Sequence, residues 1–128
     1  MRNTDARKLA ERRGRRSETI AAAFLMMKGY RILARRVRTH AGEIDLVARA
    51  PGGLVCFIEV KARADARVAA ESVAPRQQAR IARAASLYLA GRPALARHGV
   101  RFDIVAVTPM PRHFRDAFRA GDWPRGAA

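Results

Sequence analysis

One cysteine, Cys56, is all the thiol chemistry in these 128 residues. An internal disulfide is therefore excluded, and a zinc site would need ligands that this chain does not cluster. Its place in an alternating apolar stretch suggests a small buried residue, and a reducing cytoplasm fits that usage. No apolar run reaches the roughly 18 residues a membrane helix needs, so no membrane span is expected. The basic N-terminus lacks the apolar block of a signal peptide. Internal repeats are absent too. The three histidines, His40, His98 and His113, are too scattered for a metal triad and read as loop or surface residues.

Acidic residues are scarce as well. Eleven Asp and Glu stand against 26 Lys and Arg, a formal charge of +15. A polyanionic partner follows, and nucleic acid is the commonest one. An Arg-rich composition can reflect genome base bias, but that accounts for Arg over Lys better than for the excess of positive charge. With 49% hydrophobic residues the chain should fold, and its length favours one modest core.

Residues 1–15 carry Arg2, Arg7, Lys8, Arg12, Arg13 and Arg15 and read as a basic arm, frayed or helical. From Arg16 to Lys28 the pattern is helical, with Ile20, Ala21, Phe24, Leu25 and Met27 as its apolar stripe and Gly29 as its stop. Strands are expected over 30–38, 42–50 and 54–63, with a turn at Pro51, Gly52 and Gly53 between the last two. A helix starts at Pro75, shows Gln77, Ile81, Ala84, Ala85 and Tyr88 on one face, and stops before Gly91. A fourth strand covers 100–107. One short helical chance remains near His113–Phe118. The tail 119–128 reads as flexible, with Trp123 a local anchor at most. The expected fold class is α/β, in the order α-β-β-β-α-β, with a mixed sheet flanked by helices and a main domain over 16–118.

The stretch "FIEVKAR", 57–63, sets Glu59, Lys61 and Arg63 on one side of a strand and Ile58, Val60 and Ala62 on the other. A half-solvated strand with a surface ion pair is one reading; an active site is the other. In the strand before it, Glu43, Asp45 and Val47 alternate with Ile44, Leu46 and Ala48. A hairpin that sets Asp45 opposite Glu59, and Glu43 opposite Lys61, keeps polar and apolar faces apart; a one-residue slip mixes them. That register needs an odd loop or a bulge. Two carboxylates about 4 Å apart repel by roughly 4 kcal/mol at an effective dielectric near 20, so something must offset them. Basic neighbours could do so in a surface network worth about 0–1 kcal/mol per pair. A Mg²⁺ ion could do so better, and Lys61 would then point into the same space. Asp103, alternating with Arg101, reads as half of a structural ion pair.

The pieces "GRRSETIAAAFLMMKGYRIL", "GEIDLVAR", "FIEVKAR", "RQQARIARAASLYL" and "RFDIVAV", in this order, resemble the YraN family of predicted endonucleases. That family is placed in the PD-(D/E)xK nuclease-like superfamily and is similar in motif layout to archaeal Holliday junction resolvases. The resemblance runs from about Gly14 to Phe118. It implies a restriction-endonuclease-like core and a metal-dependent endonuclease that binds nucleic acid, DNA ahead of RNA, and cleaves it with Mg²⁺ or Mn²⁺, in branched structures among others; the choice between DNA and RNA stays open. Carried over by position, Asp45 and Glu59 are the metal-binding acids, Val60 lends its carbonyl to the metal, Lys61 is the catalytic lysine and Glu18 the acid of the first helix. Glu18 also suits a helix first turn through the dipole. Glu43 falls on a motif position, although a cross-strand partner for Lys61 or Arg63 is an equal reading. Arg38, Arg63 and Gln77 are the expected nucleic-acid contacts. The family usually offers a lysine where this chain has Gln77, which puts a second catalytic lysine in doubt. The rival from another class is a non-catalytic nucleic-acid-binding module on the same fold; both a monomer and a homodimer stay open.

Overall fold

The computed structural model describes residues 2–63 and 75–119. The tail from residue 120, with Trp123, lies outside them. The elements are α1 (Arg2–Met27), β1 (Arg31–Thr39), β2 (Gly42–Arg49), β3 (Val55–Arg63), α2 (Pro75–Ala90), a short 3₁₀ turn (Pro93–Ala96), β4 (Val100–Thr108) and β5 (Arg112–Phe114). The strands form one five-stranded sheet in the order β1-β2-β3-β4-β5, antiparallel except for the parallel β3–β4 pair. This is a mixed α/β fold with a helix on each side of the sheet. No described helix is long and apolar enough to cross a membrane.

The basic stretch expected to be an arm continues α1 as helix, and its described side chains from Thr4 to Arg16 are exposed. Burial begins at Ser17 and Glu18. The buried stripe is Ser17, Glu18, Ala21, Ala22 and Leu25, whereas Ile20 and Met27, expected inside, are exposed. The small alanines let the helix lie close on the sheet, which turns those larger residues outward. Gly29, at φ +89°, ends the helix. Its N–H bonds Met26 O, and Tyr30 N–H reaches back to Leu25 O. Both bonds satisfy carbonyls that the helix end would otherwise leave open.

Two apolar clusters sandwich the sheet. Ala21, Ala22, Leu25 and Tyr30 of the α1 side pack on Leu46, Ala48, Cys56, Ile58, Val105 and Val107. On the α2 side Ile81, Ala84, Ala85, Tyr88 and Leu89 pack on Ile44, Val47, Phe57, Phe102 and Ile104. Cys56 is fully buried, and burial pushes its thiol up to about 12.

The β2–β3 hairpin has the register that keeps the faces apart: Leu46 pairs with Ile58, Val47 with Phe57 and Ala48 with Cys56. Ala50 N–H bonds Leu54 O across an odd loop, 51–53, closed by Gly53 N–H to Ala50 O. Gly53 takes φ +100°, and a Cβ there would lie 2.9 Å from the His98 ring. Only glycine fits this turn without a shift.

Alternation along β2 fails at one residue. Ile44 packs in the same cluster as Val47, three residues away, and Leu46 in the opposite one. The expected common face of Ile44, Leu46 and Ala48 therefore does not form. The break coincides with Arg36 of the neighbouring β1, a non-glycine residue at φ +52°. A side chain in that region costs of order 1 kcal/mol and persists only where the surroundings impose it.

A second difference lies at 112–118. The expected helical turn is the short strand β5, whose Arg112, His113 and Phe114 pair with Ala106, Val105 and Ile104. Six residues are too few to hold a helix on their own, and pairing satisfies the open edge of β4.

Candidate functional site

The β2–β3 pairing stops at Leu46 and Ile58, and from there the Asp45 side chain replaces the backbone ladder. Its Oδ2 accepts the Val60 N–H at 2.8 Å. The carboxyls of Asp45 and Glu59 meet in this opening and hydrogen-bond each other. Such a bond needs one proton between the two groups. The pair keeps it above the usual carboxylate range: burial first, then the Asp45 charge, push the Glu59 carboxyl up to about 7. Asp45 is also raised, chiefly by burial, with its bond from Val60 N–H acting against the rise.

Each helix supplies one neighbour. From α2, Gln77 Nε2 donates to Glu59 Oε1 at 3.0 Å. The Gln77 amide is thus spent on a carboxylate, not on the solvent. From α1, the Glu18 carboxylate lies within 4.8 Å of oxygens of both Asp45 and Glu43. Lys61 Nζ stands 3.7 Å from Glu59 Oε1 and is 24% exposed, so it is partly screened but open to a ligand.

Glu43 does not face Lys61, as the unbroken alternation implies, but lies 3.8 Å from Arg36 Nε and 3.9 Å from Arg38 Nε. Arg36 Nε is also 3.6 Å from Glu18 Oε2. Both of these atoms are buried and neither has a hydrogen-bond partner. The Glu18 carboxyl is raised, first by burial and then by the Asp45 charge. A buried carboxylate oxygen that faces Arg36 at 3.6 Å but accepts no hydrogen bond, beside two further carboxylates, is under-satisfied. Arg38 is 75% exposed. The Arg63 side chain lies outside what the structure describes.

A pH prediction follows. Between the ordinary 4.5 and about 7 the folded protein keeps a proton on Glu59 that the unfolded chain has lost. Stability of the metal-free protein should therefore fall as pH rises through this window, by at most about 3 kcal/mol. Thermal unfolding in EDTA from pH 5 to pH 7.5 measures it. Wild-type Tm should drop by several degrees and that of Glu59→Gln by clearly less; equal slopes would show that Glu59 is ionised throughout.

A buried polar network, foreseen only in its Asp103–Arg101 pair, ties the segment after α1 to β4 and β5. Asp103 is fully buried. It accepts two bonds from Arg101 at 2.8 Å, one from His113 Nε2 at 2.7 Å and one from Asp116 N–H at 2.9 Å. Lys28 Nζ reaches His113 Nδ1 at 2.6 Å, and Arg101 donates to Tyr30 Oη at 2.7 Å. The Asp103–Arg101 pair was expected. His113, expected in a loop or at the surface, is a β5 residue whose side chain is only 1% exposed, turned inward onto Asp103.

The fold and site define a mixed α/β protein whose paired carboxyls, with a lysine beside them, fill the splayed end of a hairpin. The chain belongs to the uncharacterised protein family UPF0102, whose model matches residues 17–107. This is the YraN family to which the motifs pointed. It is 55% identical over 117 residues to a UPF0102 protein of Rhizobium etli, covering 90% of this chain and 95% of that one. A UPF0102 protein of Maricaulis maris is 52% identical over 124 residues, with 95% and 97% covered. One of Rhodopseudomonas palustris is 56% identical over 113 residues, with 87% and 86% covered.

Proposed function

We propose that this chain is a divalent-cation-dependent phosphodiesterase that binds DNA and is built on a restriction-endonuclease-like core. The observation that carries the reading is the meeting of the Asp45 and Glu59 carboxyls beside Lys61. Structural carboxylates are kept apart or paired with bases. Here two half-buried acids are held together until one keeps its proton near neutral pH, an arrangement that favours a cation. The donor set fits Mg²⁺ or Mn²⁺: hard oxygens, all three of the Glu18, Asp45 and Glu59 carboxyls raised, and the Glu18 oxygen without a donor.

Asp45, Glu59 and the Val60 carbonyl would hold the ion, with Glu18 on its helix side. When bound, a divalent ion supplies charge neutralisation, polarises a phosphodiester and activates water. The remaining work falls to this chain's own groups. Gln77 fixes the rotamer of Glu59 through its amide. The Lys61 ammonium meets negative charge that grows on the phosphate only in the transition state, where a preorganised donor counts most. Arg38, on the rim, is available to a phosphate.

DNA is the favoured polyanion because of the resemblance; the +15 charge supports any nucleic acid. Binding should be strongly salt-dependent through counterion release, with roughly a thousandfold loss from 50 to 200 mM salt for about six phosphate contacts. Affinity measured across that range tests it, and a flat dependence would remove nucleic acid as the partner. The activity test is a panel of branched, single-stranded and duplex DNA with Mn²⁺, Mg²⁺ or EDTA. Cleavage in Mn²⁺ and none in EDTA is the expected result. Binding without cleavage of any substrate would leave a non-catalytic module on the same fold.

A further inference from the structure

An open groove of about 560 Å³ runs between β1, an edge strand of the sheet, and the C-terminal half of α2. Leu33, Ala34 and Val37 form its strand side, and Leu87 and Tyr88 its helix side. Its other lining residues are Arg38, Thr39, His40 and Arg92, with no acid among them. Leu87 is 39% exposed here, a large apolar side chain that the described fold leaves open.

Arg92 is unusually well fixed for an exposed arginine. Its guanidinium lies 4.2 Å from the centroid of the Tyr88 ring, and its NH1 donates to Tyr88 O at 3.0 Å. The Tyr88 ring is itself held edge-on by Phe57, with centroids 6.1 Å apart. Ring and guanidinium thus form a preorganised plate on which a further planar group can stack. At the other end, Arg38 pairs with Glu43, whose carboxylate belongs to the acidic cluster with Glu18 and Asp45. From Leu33 to Arg38 the strand spans about 17 Å at ~3.3 Å per residue. Beyond Arg92, Arg49 lines a smaller recess with Pro93, Ala94 and Leu95. Cations therefore stand at both ends of an apolar strip that leads away from the acids.

Chemistry narrows the occupant. A polyanion is attracted to Arg38, Arg49 and Arg92; an apolar strip and a flat guanidinium plate suit a ligand that also has exposed ring faces. Duplex DNA hides its base faces in the stack, whereas a single strand presents both ring and phosphate. We propose that this groove holds an unpaired segment of the nucleic-acid substrate, with one base stacked on the Arg92–Tyr88 plate and the backbone passing Arg38 and His40 toward the acidic site. The proposal rests on the nuclease reading of that site and deepens it: the preferred substrate carries a single-stranded stretch next to the bond cleaved.

Binding in EDTA, where nothing is cut, tests this by fluorescence anisotropy with a single-stranded oligothymidine and a blunt duplex of equal length. Arg92→Leu removes charge and plate; Arg92→Lys keeps the charge and removes the plate. Arg112→Ala, exposed on β5 at the opposite edge of the sheet, reports the loss of one ordinary charge. Both Arg92 variants should weaken single-strand binding about tenfold, as loss of a base stack does, with little change for duplex. Arg112→Ala should weaken both slightly and equally. Wild-type affinity in Arg92→Lys would overturn the stacking role. So would equal losses for single strand and duplex in Arg92→Leu, or a dimer that this variant dissolves with nucleic-acid binding intact. Such results alongside Mn²⁺-dependent cleavage by the wild type would sink the groove alone. Failure to bind either nucleic acid would sink the groove and the nuclease reading together.

Discussion

Lys61→Ala is expected to abolish DNA cleavage while leaving DNA binding nearly intact. One ammonium among 26 basic residues adds little to the overall attraction for a polyanion. Near the reacting phosphate it counts far more, because the charge it meets appears only in the transition state. Removing one such donor typically costs about 10²–10³ in rate. The same substitution removes a contact with the Glu59 carboxyl at 3.7 Å, so the folded state should change by no more than about 1 kcal/mol. Asp45→Asn should abolish cleavage by another route, through loss of the cation, and binding should tighten slightly as a negative charge leaves the surface that faces phosphate. Single-turnover cleavage and binding on the same DNA separate the two. If both variants cut as well as wild type, a different site or a contaminating nuclease is responsible.

Asp103→Ala should be the most destabilising of these substitutions. The carboxylate is fully buried and satisfies Arg101, His113 and the Asp116 N–H. Its loss strands the Arg101 guanidinium, only 16% exposed, and frees His113 and Lys28 from their chain of bonds. Breaking a buried pair in this way costs about 3–5 kcal/mol, which for a domain of this size lowers Tm by on the order of 10–20 °C. Burial opposes the Asp103 charge, but the bonds from His113 and Arg101 more than offset it and hold the carboxyl below its usual 3.8. Its contribution is therefore complete above that value and disappears as pH falls below it. Acid unfolding of the wild type followed by circular dichroism should show this loss, and Asp103→Ala should not. A Tm change of a degree or two would mean that water replaces the carboxylate.

The strands, α2 and the hairpin register were legible because two-residue alternation and a glycine turn encode them locally. The convergence of Asp45 and Glu59 followed from that register. The way they converge did not. They meet in a gap between strands, beside a break in alternation that coincides with Arg36 on the neighbouring strand, at a backbone angle no residue pattern advertises. Glu43 was misplaced for the same reason. Ile20 and Met27 looked like core because helical periodicity gives the direction of a stripe but not how closely the helix sits on its sheet. His113 carried no signal: its role is fixed by Asp103, ten residues away on another strand, and by Lys28, 85 residues away. Gln77 was singled out by the family resemblance, as a nucleic-acid contact, and its amide reaches Glu59 instead.

The central claim is that Asp45 and Glu59 together hold a divalent cation. Calorimetric titration of Mn²⁺ into the metal-free protein at pH 6.5, in two buffers of different ionisation enthalpy, tests it most directly. The proton between the two carboxyls must leave when the ion arrives. Wild type should therefore bind with a heat that depends on the buffer, and Asp45→Asn should show no such binding. Absence of binding by the wild type, or equal and buffer-independent heats in both proteins, would contradict it.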